Sequence, residues 1–242
     1  MVMKAEAGTG GLFVEGLFAG YGKREVLFDV KLHVDPGAVV GVVGHNGAGK
    51  TTLLKSIFRS IPIDRGIIRF DVHDLTKKSS PFVVQKGISF TPASLPIFRD
   101  LTVLENLELG AFSLKKRSTY RERLDEVVQV FPILSDRLKE TAGRFSGGQQ
   151  RQLSIAMALM TNPRLMLLDE PSLGISPSVV QKTFQVIRDL SRERNSSVLV
   201  VEQNVKAMTK IADRIYVLRN GQVVLEESRE QALARTDWWS LF

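Results

Sequence analysis

The chain has 242 residues, 43% of them hydrophobic and 24% charged, with a formal net charge of +7 and no cysteine. That length suits one domain, or one domain with a sizeable insertion, and the absence of cysteine excludes a disulfide framework and a thiolate metal site. No apolar run approaches the ~18 residues that cross a bilayer, and Met1–Gly11 lacks the basic-then-apolar pattern of a secretory leader, so a cytoplasmic protein is expected. The positive balance fits a nucleic-acid binder, a protein beside an anionic membrane face, or simply a solvated surface. The same readings apply to the run Lys115-Lys116-Arg117.

In chain order, Val30-Lys31-Leu32-His33-Val34 alternates apolar and polar, which predicts a half-buried antiparallel strand. Ala38 to Val43 is apolar on both faces, as in a central strand of an α/β sheet. A glycine-rich turn follows, then a helix over about Lys50–Arg59 and a strand over Gly66–Asp71. From Pro96 to Leu159 the pattern is helical. Thr102 and Glu105 have capping-box spacing, Leu124, Val127, Val128 and Phe131 form one stripe, and a third helix begins after Ser146. Strands return at Leu165–Leu168 and Val198–Val201. Between them Ser176 caps a helix with Pro177 at its first position, running to about Arg194. Asn220-Gly221 marks a hairpin, and the tail from Arg229 is a short helix with a loose end.

Three segments carry chemistry. Gly44-His45-Asn46-Gly47-Ala48-Gly49-Lys50-Thr51, with Thr52 beside it, fits the phosphate-binding pattern G-x-x-x-x-G-K-[ST]. Its glycines let backbone N–H groups converge on an anion at a helix start. Lys50 brings charge to the β and γ phosphates, and the Thr51 hydroxyl suits Mg²⁺. Leu165-Met166-Leu167-Leu168-Asp169-Glu170 ends an apolar strand in two carboxylates. Asp169 is placed to hold Mg²⁺ through its water shell, and Glu170 to polarise the attacking water as general base. Phe145-Ser146-Gly147-Gly148-Gln149 makes a second bare, capped helix start. One nucleotide rarely needs two such sites from one chain, so Ser146–Gln149 is read as meeting the γ-phosphate of ATP held by a partner subunit.

These motifs, in this order, resemble the ABC ATPase family over about Val14–Leu225, with Phe145 where the family's signature usually has Leu. The resemblance implies an α/β fold: a P-loop NTPase core of mixed sheet with an antiparallel β part and an inserted α-helical subdomain. On that pattern residues 12–242 form one ATPase domain. Its core is 12–95 and 160–228, the helical subdomain is 96–159, and 229–242 is a tail. Tyr21 matches the aromatic residue that stacks on adenine. Gln203, in Val201-Glu202-Gln203-Asn204, stands where most members carry a switch histidine, and Ile175 where many carry Asp. Gln keeps donor and acceptor capacity without a titratable proton, leaving Glu170 to polarise water while Gln203 positions it.

Both departures resemble the smaller ATP-binding subunit of branched-chain amino acid importers. Urea and amide importers carry very similar subunits. The implied cofactors are ATP and Mg²⁺. The implied partners are membrane permeases, a second ABC ATPase subunit (usually a different chain, a homodimer remaining open) and, indirectly, a periplasmic solute-binding protein. The implied place is the cytoplasmic face of the inner membrane. A soluble ABC protein acting on nucleic acid or ribosomes is the alternative of another class. Against it, such relatives usually carry two cassettes or a long coiled-coil insertion, neither of which this sequence shows, and no nucleic acid is expected. After Phe90-Thr91-Pro92 the family has Gln or Glu, whereas this chain has Ala93. Slower hydrolysis than in close relatives is expected from that change. The ending Asp237–Phe242 does not resemble the subfamily.

Overall fold

A computed structural model describes residues 10–114 and 117–238, with the side chains of 117 and 118 excluded. Lys115 and Lys116 of the basic run, the Arg117 side chain, residues 1–9 and Trp239–Phe242 therefore lie outside the described residues.

Two sheets organise the chain. The first is antiparallel: β1 (Leu12–Tyr21) lies between β2 (Arg24–Val34) and β4 (Ile63–Phe70), with the two-residue β5 (His73–Asp74) at the edge. The second has six strands in the order β10-β9-β3-β8-β7-β6, that is Gln222–Ser228, Arg214–Arg219, Val39–Val43, Ser197–Glu202, Leu165–Asp169 and Ile88–Thr91. All its pairs are parallel except β9 with β10. Strands β3, β7 and β8 are buried at every position, as expected where helices or a second sheet cover both faces.

The side chains of these strands alternate between two hydrophobic cores. Val39, Val43, Met166, Leu168, Val198 and Val200 point to one. Val40, Val42, Leu165, Leu167, Leu199 and Val201 point to the other. The second core is completed by helix α1 (Lys50–Ile57) and the antiparallel sheet. The first is completed by helices. Of these, α3 (Val103–Gly110), α4 (Arg117–Val130), α5 (Pro132–Ser135) and α6 (Gly147–Leu159) stand between β6 and β7 in sequence. The stripe on α4 packs inward, with Val127 buried, and Phe131, just past the helix end, is buried with it. The short α2 (Ser80–Gln85) precedes β6, while α7 (Pro177–Arg194), α8 (Val205–Ile211) and α9 (Arg229–Ala234) follow β7, β8 and β10. The architecture is thus an α/β core of mixed sheet with an antiparallel part and a helical insertion. Among the described residues no helix is long and apolar enough to cross a membrane.

Local chemistry explains most boundaries. Thr102 and Ser146 both form complete capping boxes, with Glu105 and Gln149 respectively. Asn220 and Gly221 take φ of 50° and 78°, the left-handed pair of a type I′ hairpin turn. Three expectations need correction. Helix α1 stops at Ile57, two residues before Arg59, because Arg59 enters the left-handed region at φ 61°. The strand expected from Gly66 starts earlier, at Ile63, and ends before Asp71, itself left-handed at φ 52°. Ser176 occupies the N-cap of α7, but its hydroxyl makes no capping bond and instead lies 3.3 Å from that of Ser178; Pro177 starts the helix without it.

Candidate functional site

Strands β3, β8 and β7 are neighbours and parallel, so their C-terminal ends open on one edge of the sheet. Loops at that edge are where α/β sheets bind ligands. The ends carry the Gly44–Thr51 loop, Glu202-Gln203 and Asp169-Glu170 respectively. The fold therefore assembles segments that lie far apart in sequence.

The loop from Gly44 is pinned on three sides. The Gly44 N–H donates to the Glu202 carbonyl at 3.3 Å, Ala48 N–H to the His45 carbonyl at 3.2 Å, and Gly221 N–H to the Ala48 carbonyl at 2.9 Å. Gly49 sits at φ 107°, and a Cβ there would stand 2.8 Å from Leu27 Cδ2, so only glycine lets the loop turn directly into α1. Lys50 is 5% exposed. Its Nζ donates to the Gly44 carbonyl at 2.8 Å and the His45 carbonyl at 3.1 Å, and lies 3.2 Å from Glu170 Oε1. The ammonium thus has its three donors aimed at oxygen.

Glu170 takes φ 46°, a costly conformation for a residue with a Cβ, and one that recurs at functional positions. Its N–H is held by the Val201 carbonyl at 2.9 Å. Gln203 Nε2 donates to Glu170 Oε1 at 3.0 Å and to Asn46 Oδ1 at 2.7 Å. Lys50, Glu170, Gln203 and Asn46 therefore form one hydrogen-bonded group drawn from three strand ends. Thr51 Oγ1 donates to Asp169 Oδ1 at 3.1 Å, while Asp169 Oδ2 is buried without a hydrogen-bond partner. Burial pushes the Asp169 carboxyl upward from its ordinary value. The Thr51 hydroxyl opposes that push, the Glu170 charge adds to it, and the nearby Ala93 N–H and Lys50 oppose it. A buried carboxylate oxygen with no donor, beside a hydroxyl, is a donor set that fits a hard cation.

A cavity of about 390 Å³ opens beside this group, lined by Tyr21, Asn46, Gly47, Lys50, Thr51 and Thr52 among others. Tyr21, at the end of β1, is 47% exposed on the cavity wall, with the Lys55 ammonium 5.8 Å from its ring centre. A larger cleft of about 790 Å³, between α7 and α8, contains none of the carboxylates or the lysine described here.

The structure does not bring Ser146–Gln149 into this cavity. Ser146 and Gly147 are exposed at the start of α6. Gln149 N–H donates to Ser146 Oγ at 3.4 Å, and Ser146 N–H to Gln149 Oε1 at 3.0 Å. The turn rests on the start of α7: a Cβ on Gly148 would lie 3.0 Å from Val179 Cγ1. Phe145 is buried beneath it, with the Arg137 guanidinium 4.3 Å from its ring centre, so the larger ring in place of Leu is absorbed by the core.

Two residues of the site escape sequence reasoning. Glu202, 2% exposed, accepts from the N–H groups of Ser172 at 2.8 Å and Gln203 at 3.1 Å. It ties the loop after Glu170 to the loop that carries Gln203. Burial pushes its pKa up, against those donors. A carboxylate ending an apolar strand, as at Asp169, is the signal that could have found it. Arg151, on the buried side of α6, has no such signal; its position emerges only from packing.

The ABC transporter family matches residues 27–173. The chain is 42% identical to a high-affinity branched-chain amino acid transport ATP-binding protein of Pseudomonas aeruginosa, over 86% of this chain and 88% of that protein. It is 34% identical to a probable branched-chain amino acid transport ATP-binding protein of Archaeoglobus fulgidus, over 90% and 92%. A lipopolysaccharide export system ATP-binding protein of Haemophilus influenzae is 35% identical over 92% of each chain. Among solved structures, an ATP-binding cassette of an ABC transporter in its ADP conformation superposes with a TM-score of 0.84 at 28% identity, covering 93% of this chain and 94% of that one. With the cradle, the carboxylate pair and the capped second helix start in place, the chain belongs to the ABC transporter family and is an ATPase of it.

Proposed function

We propose that this chain powers a branched-chain amino acid importer, working at the cytoplasmic face of the membrane beside permease subunits and a second ATPase subunit. One observation carries the catalytic half: Glu170 is held simultaneously by Lys50 and Gln203 at the mouth of the phosphate loop. In this reading the loop Gly44–Thr52 takes the phosphates of ATP and Tyr21 stacks on its adenine. Phosphate oxygens replace Glu170 on Lys50. The released carboxylate then accepts the proton of the attacking water, with Gln203 and Asn46 fixing its direction. Thr51 and Asp169 would hold Mg²⁺, which supplies charge neutralisation at the phosphates. Ser146, Gly147, Gly148 and Gln149 would complete the partner subunit's site. The helical block 96–159 would receive a permease helix, with a solute-binding protein acting from the far side. Nothing in this arrangement calls for nucleic acid.

The solute rests on relatives. Amino acid transport is the printed role of the Pseudomonas and Archaeoglobus proteins; lipopolysaccharide export, the role of the Haemophilus relative, is the second reading. Uptake of radiolabelled leucine, isoleucine and valine in cells carrying Lys50→Ala tests this. Uptake is expected to fall to background. Intact uptake with accumulation of unexported lipopolysaccharide would favour the second reading, and loss of urea uptake alone would move the solute to an amide.

A further inference from the structure

We infer that Arg151 is a positioning residue for hydrolysis: it clamps the backbone beside Asp169 to α6, the helix whose start presents Ser146. This deepens the ATPase reading above and rests on it. Arg151 lies five residues after Ser146 in the chain, little more than one turn, or ~7.5 Å along the axis. Its side chain points the other way, inward, leaving the residue 2% exposed. Nη1 donates to the Pro92 carbonyl at 3.2 Å and Nη2 to the Ala93 carbonyl at 2.8 Å. One peptide segment is thus gripped by two arms of a planar fork. Thr91 pairs with Leu168 across β6 and β7, so the Pro92–Ala93 segment leaves the sheet beside Asp169.

The clamp is an expensive way to fill space. Burial disfavours the Arg151 charge, and the attraction of Glu202, Asp169 and Glu170 offsets this only in part. Both carbonyl partners are neutral, and Nε is buried with no partner at all. A neutral side chain of similar length would avoid that desolvation. The geometry therefore uses the charge and the fork, not the volume. Movement of α6 is transmitted through the guanidinium to the Pro92–Ala93 backbone, and from there to the Asp169 side of the site. Position 93 has no side chain able to make such a link itself, so the link runs through the main chain.

Steady-state ATPase kinetics of the assembled membrane complex, with Mg·ATP affinity and melting temperature of the purified chain, test this in Arg151→Gln, Arg151→Lys and Arg151→Gln with Ala93→Gln. The kcat is expected to fall ~10-fold in the Gln variant and ~3-fold in the Lys variant, which keeps the charge but grips one carbonyl, with Kd within twofold of wild type. Adding Ala93→Gln should recover at least ~2-fold, by restoring a polar side chain at the junction. A kcat within twofold of wild type in Arg151→Gln overturns the inference. So does a proportional fall of kcat, affinity and melting temperature in both single variants, which marks a purely structural role. Should Arg151→Gln fail to fold, Arg151→Lys decides alone: a lower kcat at unchanged Kd supports the clamp, an unchanged kcat removes it. Failure of the ATPase reading looks different, because the wild-type chain itself would then neither bind nor hydrolyse Mg·ATP.

Discussion

The helix that starts at Lys50 and the helix that starts at Gly147 both follow glycine-containing turns, yet their surroundings differ. The first start is enclosed. Its lysine is buried, its loop is pinned by Glu202 and Gly221, and its cavity wall includes Tyr21 and Glu170. The second start is outward. Ser146 and Gly147 are exposed, and the polar groups there satisfy one another through the Ser146–Gln149 box. On the proposed reading the contrast is a division of labour: the enclosed start holds a nucleotide, and the open one completes a site on a facing subunit.

Breaking the enclosed end should have the largest effect. Glu170→Gln removes the proton acceptor while keeping an oxygen for Lys50. Hydrolysis is expected to fall by ~10² or more with Mg·ATP binding retained, as read by single-turnover assay and equilibrium binding. Retained turnover would mean that another group takes the proton. Gly221→Ala strikes the same end from outside the chemistry. Gly221 takes φ 78°, and a Cβ there would stand 1.9 Å from the Val26 carbonyl oxygen, while its own N–H supports Ala48 in the phosphate loop. Strain of this kind costs about 2 kcal/mol, so a melting point lowered by roughly 4–8 °C is expected, with weaker Mg·ATP binding.

Breaking the open end should leave nucleotide binding to the same chain intact. Ser146→Ala removes the cap of α6, worth about 1 kcal/mol, and on the proposed reading lowers turnover of the assembled membrane complex ~10-fold. If instead it weakens Mg·ATP binding to the isolated chain, the two starts serve one site and the contrast fails.

The enclosed end was the more legible in sequence because its parts are local. A buried run of valines, a glycine loop and a carboxylate pair each announce themselves within a few residues; outside that end, the capping boxes of Thr102 and Ser146 do likewise. What escaped depends on register or on packing. Strand β1 gives no clear strand pattern, since its pairing slips between Val14 and Leu17 and again beyond, which breaks the alternation that marks a strand. The four-residue β6 and the seven-residue α8 are too short to show a period. Arg151 reads as one more polar residue on a helix until the loop at Ala93 is seen folded against it.

Asp169 provides the subtlest test, because its worth lies between stability and function. Burial raises its pKa in the fold relative to 3.8, the ordinary value. A carboxyl raised in this way contributes stability that is fully present below the unfolded pKa and lost as pH rises through the folded one. At neutral pH the charged Asp169 is therefore a cost to the free chain, retained for what it holds. Asp169→Asn keeps an oxygen to accept from Thr51 and drops the charge. With magnesium chelated at pH 7, its melting point should rise by about 2–4 °C, on the order of 1 kcal/mol. The gain should shrink as pH is lowered toward 3.8. Mg·ATP should then stabilise wild type and fail to stabilise the variant to the same degree. A variant less stable at pH 7 would show that Lys50 and Thr51 already satisfy the carboxylate, and the argument for a cation from its unpartnered oxygen would go with it.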